Sequence, residues 1–401
     1  MRISTDPPLH LTYCLNVHPG ETWADNLAAI RNHALRVRTR VAPCEPFGLG
    51  LRLSAKAAKE LASPTAMSEF RKFLAGENLY VFTINGFPYG QFHDAAVKQN
   101  VYSPDWRTAR RRDYTIDMSN VLAELLPEGV TGSISTVPCS YKPWIAGARD
   151  VRQMVEMLCD AVAHLAEIHR RRGREIVLAP EPEPDCSIET TAEAIAFFSG
   201  PLVEFGAGYL ADKLATTSSA AEQLIHRHLG LCFDTSHLAV EFEDLTAAVN
   251  SLAAAGIRIA KVHLSAALQA APSPAARRQL KAFCDPVYLH QVKVRSPDGR
   301  ITSCADLPAA LAAADAKDAD PADQWRIHFH VPLFFERLGE LSSTSWLLTR
   351  DFAAALRRGA TEHLEIETYT FSVLPDEIRP ADIADGIARE YEWVFQRLLR
   401  R

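Results

Sequence analysis

The chain has 401 residues and a formal net charge of −6, with 47% hydrophobic and 23% charged residues. These values exclude a disordered chain or a fibrous repeat and supply enough apolar material for a sizeable core. The mildly acidic balance provides no global field for nucleic acid or an anionic membrane, so neither partner is expected.

Short runs rich in Val, Ile, Leu and Phe alternate with stretches of helical period. A strand is predicted over 11–17, then a His18-Pro19-Gly20 turn and a helix over 21–40. Strand 47–53 leads to helix 54–74, broken near Pro64, and strand 79–85 precedes helix 105–126. Strand 132–137 is followed by helix 149–172, where Met154, Val155, Leu158, Val162 and Leu165 recur at three- and four-residue spacing. Strand 175–179 feeds helices over 190–198 and 218–228. Strand 229–233, helix 244–255 and strand 259–264 come next. A helix over 346–358, a strand over 364–368 and a helix over 383–399 close the chain.

Residues 265–334 depart from the repeat and read as an insertion, a lid or interaction surface on the face of the strand C-termini. It holds a short helix near 275–283 and a hairpin of 287–294 with 300–303 around Pro297-Asp298-Gly299. A weakly ordered Ala/Asp-rich stretch over 311–323 and a strand-like run over 326–334 follow.

Eight strand–helix units predict one α/β domain over 1–401, a (β/α)8 TIM barrel with a long insertion between strands seven and eight. The competing open doubly wound sheet lacks its Gly-rich phosphate turn: no G-x-G-x-x-G or G-x-x-x-x-G-K-[ST] occurs, and no nucleotide cofactor is expected. No window reaches the apolar length of a membrane span, and the first residues lack a signal-peptide pattern. The eight Cys are dispersed without a Cys-x-x-Cys pair, as in reduced core residues of a cytoplasmic protein.

Barrel strands converge at their C-termini on one mouth, where polar residues point at the ligand. Strand five ends in Glu181 and Glu183, strand six in Asp234 and His237, strand seven carries Lys261 and His263, and strand eight Glu365 and Glu367. The insertion adds His328 and His330. A lone strand histidine is usually a hydrogen-bonded core residue, and Glu-Pro-Glu-Pro suits a rigid surface loop. Repetition at equivalent strand ends tips the balance. Several buried carboxylates need a compensating cation, and these donor types suit Mn, Zn, Co, Fe or Mg. Period two pairs Glu181 with Glu183, His328 with His330 and Glu365 with Glu367 on common faces. His237 falls just past its strand, one step out from the metal.

The order Glu, Asp-x-x-His, His, Glu on strands five to eight resembles the xylose isomerase-like TIM-barrel superfamily, and His328-x-His330 is similar to the Asp-x-His of its endonuclease IV branch. Residues 12–23, 85–93, 101–106 and 288–291, with Lys98, look like one narrower branch, the Ebo-type metabolite traffic proteins. The resemblance implies a divalent-metal site from Glu181 or Glu183, Asp234, His263, and Glu367 or Glu365, with Glu181 and Glu367 preferred. His237 matches a position that contacts substrate or a second metal. His18, Asn85 and His93 match the narrow branch's motifs and are candidate substrate contacts, as is Lys261 at its strand end. Many epimerases carry an Arg shortly after the strand-seven His; here 264–269 reads Leu-Ser-Ala-Ala-Leu-Gln, so that substrate contact does not carry over.

The leading expectation is a metal-dependent isomerase or epimerase of a small polyhydroxylated metabolite, such as a sugar or sugar phosphate, with Glu181 and Glu367 as its two bases. A non-catalytic metabolite-binding or traffic role is the alternative, and metal-dependent phosphodiester hydrolysis the third. Homo-oligomerisation and a pathway-enzyme partner stay open.

Overall fold

Parallel strands covered by helices must be apolar on both faces, and the strand segments here are buried along nearly their whole length. In the computed structural model, which describes residues 1–93, 97–317 and 319–399, eight such strands form the barrel. They are β1 (Pro8–Tyr13), β2 (Phe47–Arg52), β3 (Leu79–Asn85), β4 (Gly132–Thr136), β5 (Ile176–Pro180), β6 (Leu231–Asp234), β7 (Ile259–Leu264) and β8 (His363–Ile366). Parallel pairing runs β2-β3-β4-β5 on one side and β6-β7-β8-β1 on the other. Parallel bridges Cys14–Gly50 and Leu178–Leu229 close the two arcs into a ring.

The wrapping helices end where local chemistry stops them. Thr22 with Asp25, and Thr190 with Glu193, form capping boxes. The 25-residue helix Ala148–Arg172 stops at Gly173, whose φ of 63° is left-handed, with His169 and three Arg on its last turn.

Several expectations shift. The first strand ends at Tyr13, because Leu15–Val17 coils into a single 3-10 turn, and an unpredicted strand Arg2–Thr5 pairs with it antiparallel. The helix expected over 105–126 spans Ala109–Leu125, and the one expected over 346–358 spans Arg350–Arg357. The stretch expected to be weakly ordered contains the C-terminal part of helix Leu307–Lys317, which buries Leu307, Ala310, Leu311 and Ala314 at helical spacing. Residue 318, also in that stretch, lies outside the described residues. The helical stretch Thr191–Leu214 is long and apolar enough by composition to cross a membrane, contrary to expectation. Its Ala194, Phe197, Phe198, Leu202 and Leu210 are buried in the core.

Between β7 and β8 the chain forms a six-stranded antiparallel sheet that extends to Ser343, beyond the expected 334. Its central strands are Ala266–Ala270 and Gln324–Val331. The predicted hairpin is Val292–Arg295 with Ile301–Cys304, turning at Gly299. One apolar cluster takes in Leu178 and Val262 of the barrel and Leu268, Val292 and Phe329 of this sheet. His330 Nδ1 on the Glu367 carbonyl, at 2.8 Å, sets this sheet against the end of β8.

Candidate metal centre

Asp234 ends β6 and caps the helix Thr235–Val240. Its Oδ1 accepts hydrogen bonds from Ser236 N at 2.6 Å, His237 N at 3.1 Å and the Ser265 hydroxyl at 2.6 Å. That anchorage leaves Oδ2 buried without a hydrogen-bond partner, 3.7 Å from His263 Nδ1 and 3.9 Å from His237 Nε2. His263, on β7, lies opposite Asp234 of β6 and opposite Glu365 of β8. Its Nδ1 is 2.9 Å from both Glu181 Oε1 and Glu367 Oε2. Glu181 Oε2 is also buried and unpartnered. Glu367 is held from behind: Asn16 Nδ2 donates to its Oε1 at 2.7 Å and Asn85 Nδ2 at 3.0 Å.

Four donor atoms, one each from Glu181, Asp234, His263 and Glu367, lie within 4.8 Å of one another, and all four residues are buried. Burial first, and then neighbouring Glu181, pushes the Glu367 carboxyl up to about 7. Burial opposes charge on His263, yet the surrounding acidic groups hold it well above the ordinary histidine range. Three carboxylates in one dry space need a compensating charge, supplied either by protons or by a cation. Hard and borderline divalent ions take this mixed oxygen and nitrogen set. The orphaned Glu181 and Asp234 oxygens are what such an ion would satisfy.

A second cluster adjoins it. One ring nitrogen each of His237, His328 and His330 also lie within 4.8 Å of one another. His328 and His330 share a face of Gln324–Val331, where a register shift between Ile327 and His330 re-aims them. Their Nδ1 atoms are occupied, by Gln291 Oε1 at 2.8 Å and by the Glu367 carbonyl at 2.8 Å. Their Nε2 atoms are buried without partners. His237 Nδ1 donates to the Pro182 carbonyl at 2.9 Å, which turns its Nε2 toward Asp234. Burial and neighbouring His237 hold His328 well below the usual range, and burial lowers His330 to about 4. His328 and His330 are thereby held in the neutral, metal-binding form, whereas Asp234 and Glu183 raise His237 to about 9 against its burial.

A cleft reaches both clusters from the barrel mouth and is lined by Glu181, Glu183, His237, His328, Glu367, Asn16 and Asn85 at its polar end. Glu183 accepts from the Tyr102 hydroxyl at 2.8 Å and stays 3.9 Å from His328; burial raises its carboxyl to about 8.

Four expected site residues are placed elsewhere. Lys261 does not meet the cleft: fully buried, its ammonium pairs with Glu365 inside the barrel. Glu365 stands outside the four-residue cluster, because its Oε2 is taken by Lys261 and, at 2.9 Å, by His263 Nε2. His18 is buried against the Tyr13 hydroxyl at 3.0 Å and stacks on His33. His93 sits behind the wall, between the Asn16 carbonyl at 2.6 Å and the Tyr288 hydroxyl at 2.7 Å. Sequence reasoning missed Asn16, Ser265 and Gln291 as holders of site groups. Of these, Asn16 and Gln291 lie in the motif runs 12–23 and 288–291, and Ser265 carried no signal.

The chain matches no protein-family model and no curated protein in sequence. Its fold is similar to several solved structures. One is a xylose isomerase domain protein from Planctomyces limnophilus, at 13% identity over 90% of this chain and 91% of that one, with a TM-score of 0.49. A second is a D-allulose 3-epimerase from Methylomonas sp. in complex with D-allulose, at 14% identity over 97% of both chains, TM-score 0.47. A third is AsbF of Bacillus anthracis, a probable 3-DHS dehydratase involved in petrobactin synthesis, at 10% identity over 98% and 100%, TM-score 0.45. The first of these bears the name of the group that the order of strand-end residues resembles.

Proposed function

We propose that this protein is a divalent-metal-dependent isomerase or epimerase that moves a proton on a carbon next to a carbonyl. The observation that carries the reading is the buried Glu181, Asp234, His263 and Glu367 cluster with two orphaned carboxylate oxygens, at the inner end of a cleft. Those four residues would hold the ion. When bound, it supplies Lewis-acid polarisation of adjacent carbonyl and hydroxyl oxygens. Glu181 and Glu367, on neighbouring donor positions from opposed strands β5 and β8, are the bases, one removing the proton and the other returning it. In the metal-free site burial lifts the Glu367 carboxyl to about 7. Asn16 and Asn85 orient Glu367, and the Asp234 cap orients its free oxygen.

The test is solvent exchange. Protein loaded with Mn or Zn is incubated in deuterated water with free ketoses and cyclitol ketones, and deuterium at the carbon beside the carbonyl is read by NMR. Exchange that is abolished in Glu181→Gln is expected. A chain that retains no metal after gel filtration overturns the reading. A metal-loaded chain that binds but never exchanges a proton shifts it to the non-catalytic traffic role. The three-histidine cluster supports a second reading, two-ion phosphodiester hydrolysis. Release of nitrophenol from bis(4-nitrophenyl) phosphate, lost in His330→Ala, would favour it.

A further inference from the structure

The cleft has two chemically distinct ends. Its inner end is the acidic and imidazole cluster already described. Its outer wall is Phe87, Pro88, Phe92, Val97, Val101 and Leu289. Beside them Phe92, Tyr288 and Tyr369 form an apolar cluster of their own, apart from the main core, with ring centroids 5.1 to 5.2 Å apart. The Tyr288 hydroxyl is engaged by His93 and the Tyr102 hydroxyl by Glu183, so neither has to be met by a ligand.

A phosphate ester needs cations or several converging N–H donors. Among the described lining residues the one Lys or Arg is Lys98; of the two lining histidines, His237 has its Nδ1 on the Pro182 carbonyl and its Nε2 turned to Asp234, which leaves His328 Nε2 as a single unpartnered ring nitrogen. An ammonium has three donors, and those of Lys98 go to the Asp285 carbonyl at 3.1 Å, the Tyr288 carbonyl at 2.6 Å and Asp306 Oδ2 at 2.8 Å. Two arginines stand behind the 86–90 loop, both buried. Arg111 donates to the carbonyls of Pro104, Gly86 and Phe87, and Arg52 to those of Gly20 and Gly90 and to Glu21. They pin the wall from outside. Residues 94–96, Asp-Ala-Ala, bring no cation in sequence.

From these observations we infer that the substrate is uncharged and amphiphilic: adjacent oxygens at the metal end, a hydrocarbon ring or chain at the mouth, and no phosphate. The inference rests on the reading of the inner end as a metal site, and it narrows the substrate from sugars and sugar phosphates to neutral α-hydroxycarbonyl compounds with an apolar substituent.

Three α-hydroxyketones test it by calorimetric titration of the Mn-loaded protein: dihydroxyacetone, dihydroxyacetone phosphate and 1-hydroxy-4-phenylbutan-2-one. Burying the phenyl group against the outer wall should tighten binding about tenfold or more over dihydroxyacetone. The phosphate should bind no tighter than dihydroxyacetone. In Val101→Lys, a partly exposed wall position, the phosphate should gain affinity and the phenyl ketone lose it. Tighter binding of the phosphate by the wild type, no gain from the phenyl group, or no binding of any of the three to protein shown to hold metal overturns the inference. Metal content, measured on the same samples, separates the two readings. If the chain holds no metal, the isomerase reading falls, and titration of the metal-free protein still ranks the phenyl ketone against the phosphate.

Discussion

His263 Nε2 lies 2.9 Å from Glu365 Oε2, on the side of the ring away from the nitrogen that faces Glu181 and Glu367. The ring therefore bridges two layers of the barrel: a site above and a sealed ion pair, Lys261 with Glu365, below. A carboxylate behind a ligating histidine fixes its tautomer and raises its basicity. Glu365→Gln should weaken metal binding roughly 10- to 100-fold, read by competition with a chromophoric chelator. Lys261→Met leaves Glu365 a buried charge with one partner fewer, and should cost about 3 to 5 kcal/mol in urea unfolding. Unchanged chelator competition in Glu365→Gln would dismiss the positioning role.

Gly50 makes room for that layer. A Cβ at this position would stand 2.0 Å from Glu365 Oε1 and 2.8 Å from the Tyr13 carbonyl. The backbone oxygen cannot move aside cheaply, so Glu365 would be displaced from His263. Gly50→Ala should cost about 1 to 3 kcal/mol of stability. It should also lower metal affinity in the same direction as Glu365→Gln. Wild-type thermal unfolding and wild-type metal content in this variant would contradict the packing argument.

The strand ends were legible because in-facing polar residues stand out against apolar strands: Glu181, Asp234, His263 and Glu367 are brought together in the order the chain presents them. Depth was not legible. Period two says that Lys261 and His263, or Glu365 and Glu367, share a side, but not which lies a layer below. Lys261 and Glu365 were accordingly placed at the mouth and belong beneath it. Motif resemblance alone points to His18 and His93, and their partners, Tyr13 and Tyr288, are contacts that spacing does not encode. Helix Leu307–Lys317 was obscured by its Ala/Asp composition, although its buried positions follow helical spacing.

Glu390, which is bonded to Thr368 next to Glu367, gives the protein a pH-dependent stability term. It is fully buried on the C-terminal helix, accepting from the Thr368 hydroxyl at 2.7 Å and Leu333 N at 3.1 Å. Burial raises its carboxyl from 4.5 to about 7. The folded state therefore binds this proton more tightly than the unfolded chain. The contribution is fully present below pH 4.5 and is lost as pH rises toward 7. The swing is about 3 kcal/mol, reduced by relaxation around the charge. Glu390→Gln should flatten the stability–pH curve between pH 4.5 and 7, measured by urea titration at each pH. An unchanged slope in the variant would assign the dependence to other groups.

The two donor clusters share a wall at Asp234, whose free Oδ2 lies 3.9 Å from His237 Nε2 and 3.7 Å from His263 Nδ1. His328 and His330 each present one buried, unpartnered Nε2 beside His237. A buried imidazole nitrogen left without a partner costs about 1 to 3 kcal/mol, and an ion there would recover it. The prediction is two ions per chain at saturating Zn, counted by elemental analysis after gel filtration. His330→Ala should remove one and leave the other, because the Glu181, Asp234, His263 and Glu367 set stays whole. Asp234→Ala should reduce both, since its oxygen faces both clusters. The opposite pattern, with His330→Ala silent and Asp234→Ala losing a single ion, would mean that the three histidines bind substrate instead.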